Sequence, residues 1–311
     1  MTIKKRLLAA VLALACIQAF AQTSADSYFS RYQMIAGRLG PDGLGIETLL
    51  NKWESEFPED TRMLQAKFTY YLLKAQSSTV RQLDQQRYLG AKPFMSLKDS
   101  LGRDVHYFEV VQWDDELFSL SAQAVDKAIK LQPDNLEFRI SKLSSLLEYE
   151  GESPDMAASS LCGLIDYNFS AHPAWTFEGE KADAEMFSTM VQEYCARFYK
   201  IGSPRSYESF RIISEKMLGY TPKDVLYLSN LGTYWFVARK DNKQALKYYN
   251  KVLKLQPDNY SAIMNCVLLA RSDKNLKLEK KYLPMLVKYS PSETERTSAQ
   301  LRLDAISGKK K

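Results

Sequence analysis

Apolar residues recur along most of this chain at spacings of three and four, the signature of helices that bury one face. From Val225 to about Lys240 the recurring positions are Leu228, Leu231, Gly232 and Trp235; from Lys243 to Leu255 they are Ala245, Tyr249 and Val252. Two helices joined by a turn at Arg239 to Asn242 are predicted, with Pro257 closing the pair. A second pair is predicted over Tyr260 to Arg271 and Leu276 to Tyr289, ending before Pro291. Pro284 falls inside the latter helix, where its missing N–H should kink it. Thr294 to Ile306 then reads as a lone helix, polar on one side. Upstream, Ala184 to Tyr199 pairs with Ser206 to Leu218. Thr61 to Lys74 and Leu136 to Glu148 read as first helices of pairs, and Ile46 to Phe57 and Leu117 to Leu131 as second helices.

The chain also repeats itself literally. Ala128-Ile-Lys-Leu-Gln-Pro-Asp-Asn135 returns as Val252-Leu-Lys-Leu-Gln-Pro-Asp-Asn259, each closing an amphipathic stretch. Pro257 and Pro291 are 34 residues apart, and Pro222 precedes Pro257 by 35. A helical period of 34 residues, with a large residue, Leu-Gly, an aromatic, Ala and Pro in order over 225 to 257, resembles the tetratricopeptide repeat. Gly232 and Ala245 would let paired helices approach closely, with Trp235 and Tyr249 filling the space around them. The interval from Gly232 to Ala245 is one residue longer than that family's usual spacing.

The resemblance implies an all-α fold, a right-handed superhelical solenoid of helix-turn-helix repeats, and a protein or peptide partner held in a groove lined by the first helices. Asn230 and Asn265 occupy matching positions 35 residues apart, and asparagine there contacts bound peptide in the family; Thr233 lies on the same predicted helix as Asn230. A side-chain amide both donates and accepts, which suits an extended backbone. The family's clamp for a C-terminal carboxylate is not supported, because the corresponding positions hold Cys195, Tyr199 and Ser261.

Two stretches interrupt the helical grammar. In residues 87 to 109 the periodicity shortens toward two around Asp99-Ser-Leu-Gly102, predicting a small hairpin or loop insertion. Residues 168 to 183, with His172-Pro173-Ala-Trp175, form an aromatic-rich connection. Insertions in repeat arrays map to loops and often to the binding face; the plainer alternative is that these aromatics dock on neighbouring helices. Asp99-Ser100-Leu101 also resembles a short acceptor for O-glycosylation in some exported Gram-negative proteins, which makes Ser100 a candidate for modification.

The N-terminus orders Lys4-Lys5-Arg6, an apolar run from Leu7 to Ala15, and Ala19-Phe20-Ala21, the layout of a secretory signal peptide cleaved after Ala21. Ala13-Leu14-Ala15-Cys16 loosely resembles a lipobox, so lipidation at Cys16 is the alternative route. The expected organisation is a signal over 1–21, divergent repeats over 22–204 with insertions at about 87–109 and 168–183, clearer repeats with a capping helix over 205–306, and a basic tail at 307–311. No further segment has the roughly 20 apolar residues of a membrane span.

Charge and candidate chemistry narrow the picture by exclusion. Lysine plus arginine number 42 against 37 acids, a net +5; without Lys4, Lys5 and Arg6 the balance is 39 against 37, or +2. That near-neutral balance gives no basic stripe for nucleic acid. Three cysteines beyond the signal, Cys162, Cys195 and Cys266, form no CxxC pair, and an odd count is no disulfide framework. With two histidines, His106 and His172, and no nucleophile elbow, phosphate loop or HExxH, the sequence offers no catalytic residue, no metal site and no cofactor. The expectation is a non-catalytic interaction scaffold or adaptor in the periplasm or cell envelope of a Gram-negative bacterium. The alternatives are a lipid-anchored component of an outer-membrane assembly or transport complex, and an enzyme or small-ligand protein built on the aromatic insertions. The sequence leaves the oligomeric state open.

Overall fold

A computed structural model describes residues 25–308; the signal segment, Cys16 and the last three lysines lie outside them. The chain divides into two units, one running to Tyr149 and including Pro173–Asp183, the other comprising Glu150–His172 and Ala184 onward.

The first unit opens with α1 (25–39), followed by α2 (Ile46–Glu56) and α3 (Thr61–Lys74). It continues through β1 (Gln76–Leu83), β2 (Met95–Lys98) and β3 (Asp104–Trp113) to α4 (Asp115–Leu131) and α5 (Leu136–Glu150). Asp60 starts α3: its carboxylate accepts from the backbone N–H of Arg62 and from the Trp53 indole N–H at 3.2 Å. Trp53 is fully buried among Ile46, Leu50, Met63, Val125 and Ala128, with Tyr28 stacked on it. An N-cap carboxylate that also satisfies a buried indole joins helix initiation to core formation.

The interruption of the helical grammar is larger than the sequence indicated. The hairpin expected within 87–109 is present as β2–β3, turning at Asp99–Gly102, but it belongs to a three-stranded antiparallel sheet in the order β1-β3-β2 that begins at Gln76. It separates the two helices of a pair, yet α3 and α4 pack together as though joined by a short turn. The reason is at its root, where the Asp114 N–H donates to the Ala75 carbonyl at 2.8 Å and Gln76 faces Trp113. The excursion leaves and returns at one point, so its length adds little to the cost of bringing the helices together. β1 carries polar residues at most positions, which is why helical periodicity neither persisted nor switched clearly to two before residue 87. On one sheet face, Phe108 and Val110 are buried and the Ser96 hydroxyl meets His106 Nδ1 at 2.8 Å. The opposite face leaves Val80, Leu97 and Val111 exposed.

The repeated eight-residue peptide makes the same turn twice. In each copy the glutamine N–H donates to the carbonyl four residues back, Gln132 to Ala128 and Gln256 to Val252, ending a helix before the proline. In each copy the asparagine then caps the next helix, Asn135 accepting from the Glu137 N–H and Asn259 from the Ala262 N–H. Proline removes the donor that would extend the first helix, and asparagine satisfies one that would be orphaned in the second.

The second unit holds α6 (Asp155–Ala171), α7 (Ala184–Ile201), α8 (Pro204–Tyr220), α9 (Val225–Val237) and α10 (Asn242–Leu255). It ends with α11 (Tyr260–Ser272), α12 (Leu276–Tyr289) and α13 (Glu293–Ser307). The helix-turn-helix pairs predicted from Ala184 onward are present, Pro284 lies within α12, and α13 follows as a lone helix packed on α12. Tyr249, Val252, Ala245, Cys266 and Leu283 form its fully buried centre.

Candidate functional site

A cavity of about 380 Å³ opens in the first unit on the faces of α1, α3 and α5. Phe29 and Tyr32 come from α1, Arg62, Gln65 and Thr69 from α3, and Glu137 and Phe138 from α5. Residues 29 and 32, and 62, 65 and 69, share a face because three- and four-residue steps return to one side of a helix, and residues 137 and 138 stand in the first turn of α5.

The second insertion completes the rim. After Pro173 the chain folds back on the turn before α5: the Thr176 N–H donates to the Asp134 carbonyl at 2.9 Å, and Trp175 is buried with the Arg139 guanidinium 5.4 Å over its ring. The two-residue strands β4 (Thr176–Phe177) and β5 (Glu180–Lys181) then bring Gly179 to the cavity. The tryptophan of this segment thus docks on α5, and Gly179 at its tip lines the cavity.

The electrostatics of the cavity are one-sided. Among the described residues Arg62 is its sole cationic lining residue, and its guanidinium is engaged by Asp60 at 2.9 Å and Asp26 at 2.6 Å while lying over the Phe29 ring. Those two carboxylates hold its pKa above the ordinary arginine value. Glu137 brings a half-buried carboxylate that enters no ion pair with a described residue. The Gln65 side-chain oxygen is buried with no hydrogen-bond partner, an arrangement that costs about 1–3 kcal/mol where nothing fills it. Burial also pushes the Tyr32 phenol upward.

The asparagines singled out from the sequence lie elsewhere. Asn230 is 8% exposed and its amide exchanges two hydrogen bonds with Gln192 of α7, at 3.0 and 3.3 Å. The Thr233 hydroxyl meets the Tyr249 hydroxyl at 3.2 Å, and Asn265 is half-buried on α11. Asn230 and Thr233 thus have internal partners. Ser100 sits exposed at the tip of the β2–β3 turn, where Asp99 accepts from the backbone N–H groups of Leu101 and Arg103 and holds the loop closed. His106 packs in the sheet and His172 caps the end of α6 with φ 48°. No residue of 94–108 lines the cavity.

Gln65, Glu137 and Phe138 were within reach of the sequence. Both α3 and α5 read as first helices, so the same family logic that selected Asn230 selects their inner faces. The missing element was α1, whose residues do not repeat a recognisable motif and so were not separated as a helix.

Among the described residues no helix is long and apolar enough to cross a membrane, and no cluster of three or more His, Cys, Asp or Glu is placed to hold a metal ion. No protein-family model matches the chain, and no curated protein matches it. A solved structure described as "Functional Characterization of Pseudomonas Aeruginosa pilF" is 14% identical, over 61% of this chain and 77% of that one, with a TM-score of 0.39.

Proposed function

We propose that this chain is a non-catalytic interaction scaffold whose first unit holds an extended peptide segment of a partner protein in the cavity between α1, α3 and α5. The observation that carries the reading is a cavity on the faces of three helices that is lined by the rings of Phe29, Tyr32 and Phe138 with polar side chains between them. An extended peptide supplies apolar side chains for the rings and backbone donors and acceptors for the polar groups between them. The reading extends to an exported protein acting in the periplasm or at the envelope, and its support there is the order of Lys4-Lys5-Arg6, Leu7 to Ala15 and Ala19-Phe20-Ala21.

A photo-crosslinking residue placed at Thr69, on the cavity wall, tests the binding surface against one at Gln123, exposed on α4. The expected outcome in native envelope fractions is a discrete adduct from position 69, absent from position 123 and lost on Phe138→Ser in a protein that remains folded by circular dichroism. Equal labelling from both positions, or an adduct that survives Phe138→Ser, rules the groove out.

A further inference from the structure

We infer that the lysine-rich face of α10 and α12 docks on an anionic lipid surface, independently of the peptide cavity in the first unit. α10 carries Lys243, Lys247, Lys251 and Lys254 and no acidic residue. Steps of four, four and three residues return to one side of a helix, so these lysines stand within about 80° of one another in a single row about 17 Å long. α12 carries Lys277, Lys280, Lys281 and Lys288, and its one carboxylate, Glu279, is buried and engaged by Arg271 and Arg302. Lys277, Lys281 and Lys288 form a second row of similar length. All eight lysines are exposed.

The two rows adjoin. The Tyr282 hydroxyl of α12 donates to the Asn250 side-chain oxygen of α10 at 2.7 Å, and Lys281 Nζ reaches that hydroxyl at 3.2 Å. Asn250 lies three residues after Lys247 and four before Lys254, so the seam runs beside the α10 row. Several lysines elsewhere meet carboxylates, among them Lys67 with Glu54, Lys142 with Asp126 and Lys216 with Asp166. None of the eight enters an ion pair with a described residue. Of the carboxylates in the neighbouring turns, Asp241 caps α10 and Asp273 accepts from the Asn242 amide. The successive lysines of each row repel one another at a four-residue spacing, a concentration of charge that the overall balance of 42 basic to 37 acidic residues conceals.

The choice of lysine points to a counter-surface of diffuse charge. An ammonium is a strongly hydrated point charge, attracted without giving up its water, whereas packed protein interfaces and base-reading sites favour the planar fork of arginine. No arginine stands on α10 or α12. Tyrosines complete the face: Lys251 lies 4.9 Å over the Tyr248 ring and Lys288 4.8 Å over the Tyr289 ring, and both rings are half-buried. An amphipathic ring beside an ammonium suits the headgroup layer of a membrane, where one end is apolar and the other wet. A layer of lipid phosphates meets both rows at once, and each lysine near it adds to the attraction.

The test uses the chain from Gln22 onward, which lacks Cys16, so that no acyl chain contributes. It is sedimented with vesicles of phosphatidylcholine alone and of phosphatidylcholine mixed equally with phosphatidylglycerol. Binding is expected on the mixed vesicles only, weakening with added salt. Combining Lys247→Gln, Lys251→Gln and Lys254→Gln should lower it about a hundredfold, at about fivefold per lysine. The same exchange at Lys52, Lys92 and Lys130, exposed in the first unit, removes equal charge and should leave binding nearly unchanged. The α10 variant should match or exceed the parent's urea midpoint, because it removes like-charge neighbours, so its loss of binding is not a loss of fold. Equal binding to both kinds of vesicle, or an equal loss in both triple variants, overturns the inference. Absence of vesicle binding also overturns it: retention of polyglutamate or duplex DNA would then give the face to an acidic protein or a nucleic acid, and no retention would make it a solvated surface.

Discussion

Gly232 of α9 lies against the ring of Tyr249 of α10 so closely that a methyl group on its Cα would come within 2.5 Å of Tyr249 Cε1 and 2.8 Å of Cδ1. Tyr249 is fully buried, with its hydroxyl held by Thr233, so the ring has little room to retreat. Alanine is the better helix former by about 1 kcal/mol, yet the overlap should prevail. Gly232→Ala is expected to destabilise the second unit by about 1–3 kcal/mol, seen as a lower urea midpoint. An unchanged or raised midpoint would show that the helices separate at little cost.

Glu279 is a buried carboxylate gripped by arginines from two other segments. Its side chain is 2% exposed, with Arg302 of α13 at 2.9 Å and Arg271 of α11 at 2.8 Å. The hydrogen bond from Arg302 above all, with that from Arg271, holds its pKa below the ordinary value of 4.5, against the opposing effect of burial. Since the folded value is depressed, the stabilisation is present above pH 4.5 and disappears as pH falls through the lower folded value. Glu279→Gln should cost about 1–2 kcal/mol at pH 7, a figure discounted because both arginines are nearly half exposed. The gap from the parent should narrow progressively as pH falls below 4.5. A gap constant from pH 7 to pH 3, followed by chemical denaturation, would remove charge from the explanation.

Asn230 separates structure from binding. Its paired hydrogen bonds with Gln192 tie α9 to α7. Truncation to alanine leaves a half-buried amide without its partner, so Asn230→Ala should lower stability by about 1–2 kcal/mol and leave the photo-adduct at position 69 unchanged. Loss of that adduct at full stability would return the binding site to the face predicted from the motif.

The cysteines are predicted to be silent until the fold opens. Burial pushes the Cys195 and Cys266 thiols up to about 12, and half-buried Cys162 is also raised by burial. The thiolate is the reactive species, so at pH 8 a thiol reagent should modify Cys162 first. Cys195 and Cys266 should react only in urea, in step with unfolding by circular dichroism. Mass spectrometry of timed samples reads the order, and early labelling at Cys195 would contradict the burial.

Much of the helical pairing was legible in local chemistry. The three- and four-residue spacing of apolar positions located the pairs after Ala184, and the Leu-Gln-Pro-Asp-Asn peptides located two turns that the structure builds with the same bonds. Gly232 and Ala245 were readable as close-contact positions because only small residues permit that approach. Less legible was the sheet: β1 is short of apolar residues, and its partner β3 lies some thirty residues away in sequence, so its pairing is a non-local fact.

By itself, then, the sequence determined most of the helices other than α1 and α6, the turns that end them, and which small residues sit between them, since each depends on neighbours within about four residues. The tertiary structure decided that Ala75 and Asp114 meet to make a long insertion inexpensive, that Trp175 docks near α5 and carries Gly179 to a cavity, and that Asn230 spends its amide on Gln192. It also decided which polar atoms are left without partners. Whether Gln65 and Glu137 remain free depends on every group packed around them, and those groups come from stretches of chain far apart in sequence that only folding brings to one surface.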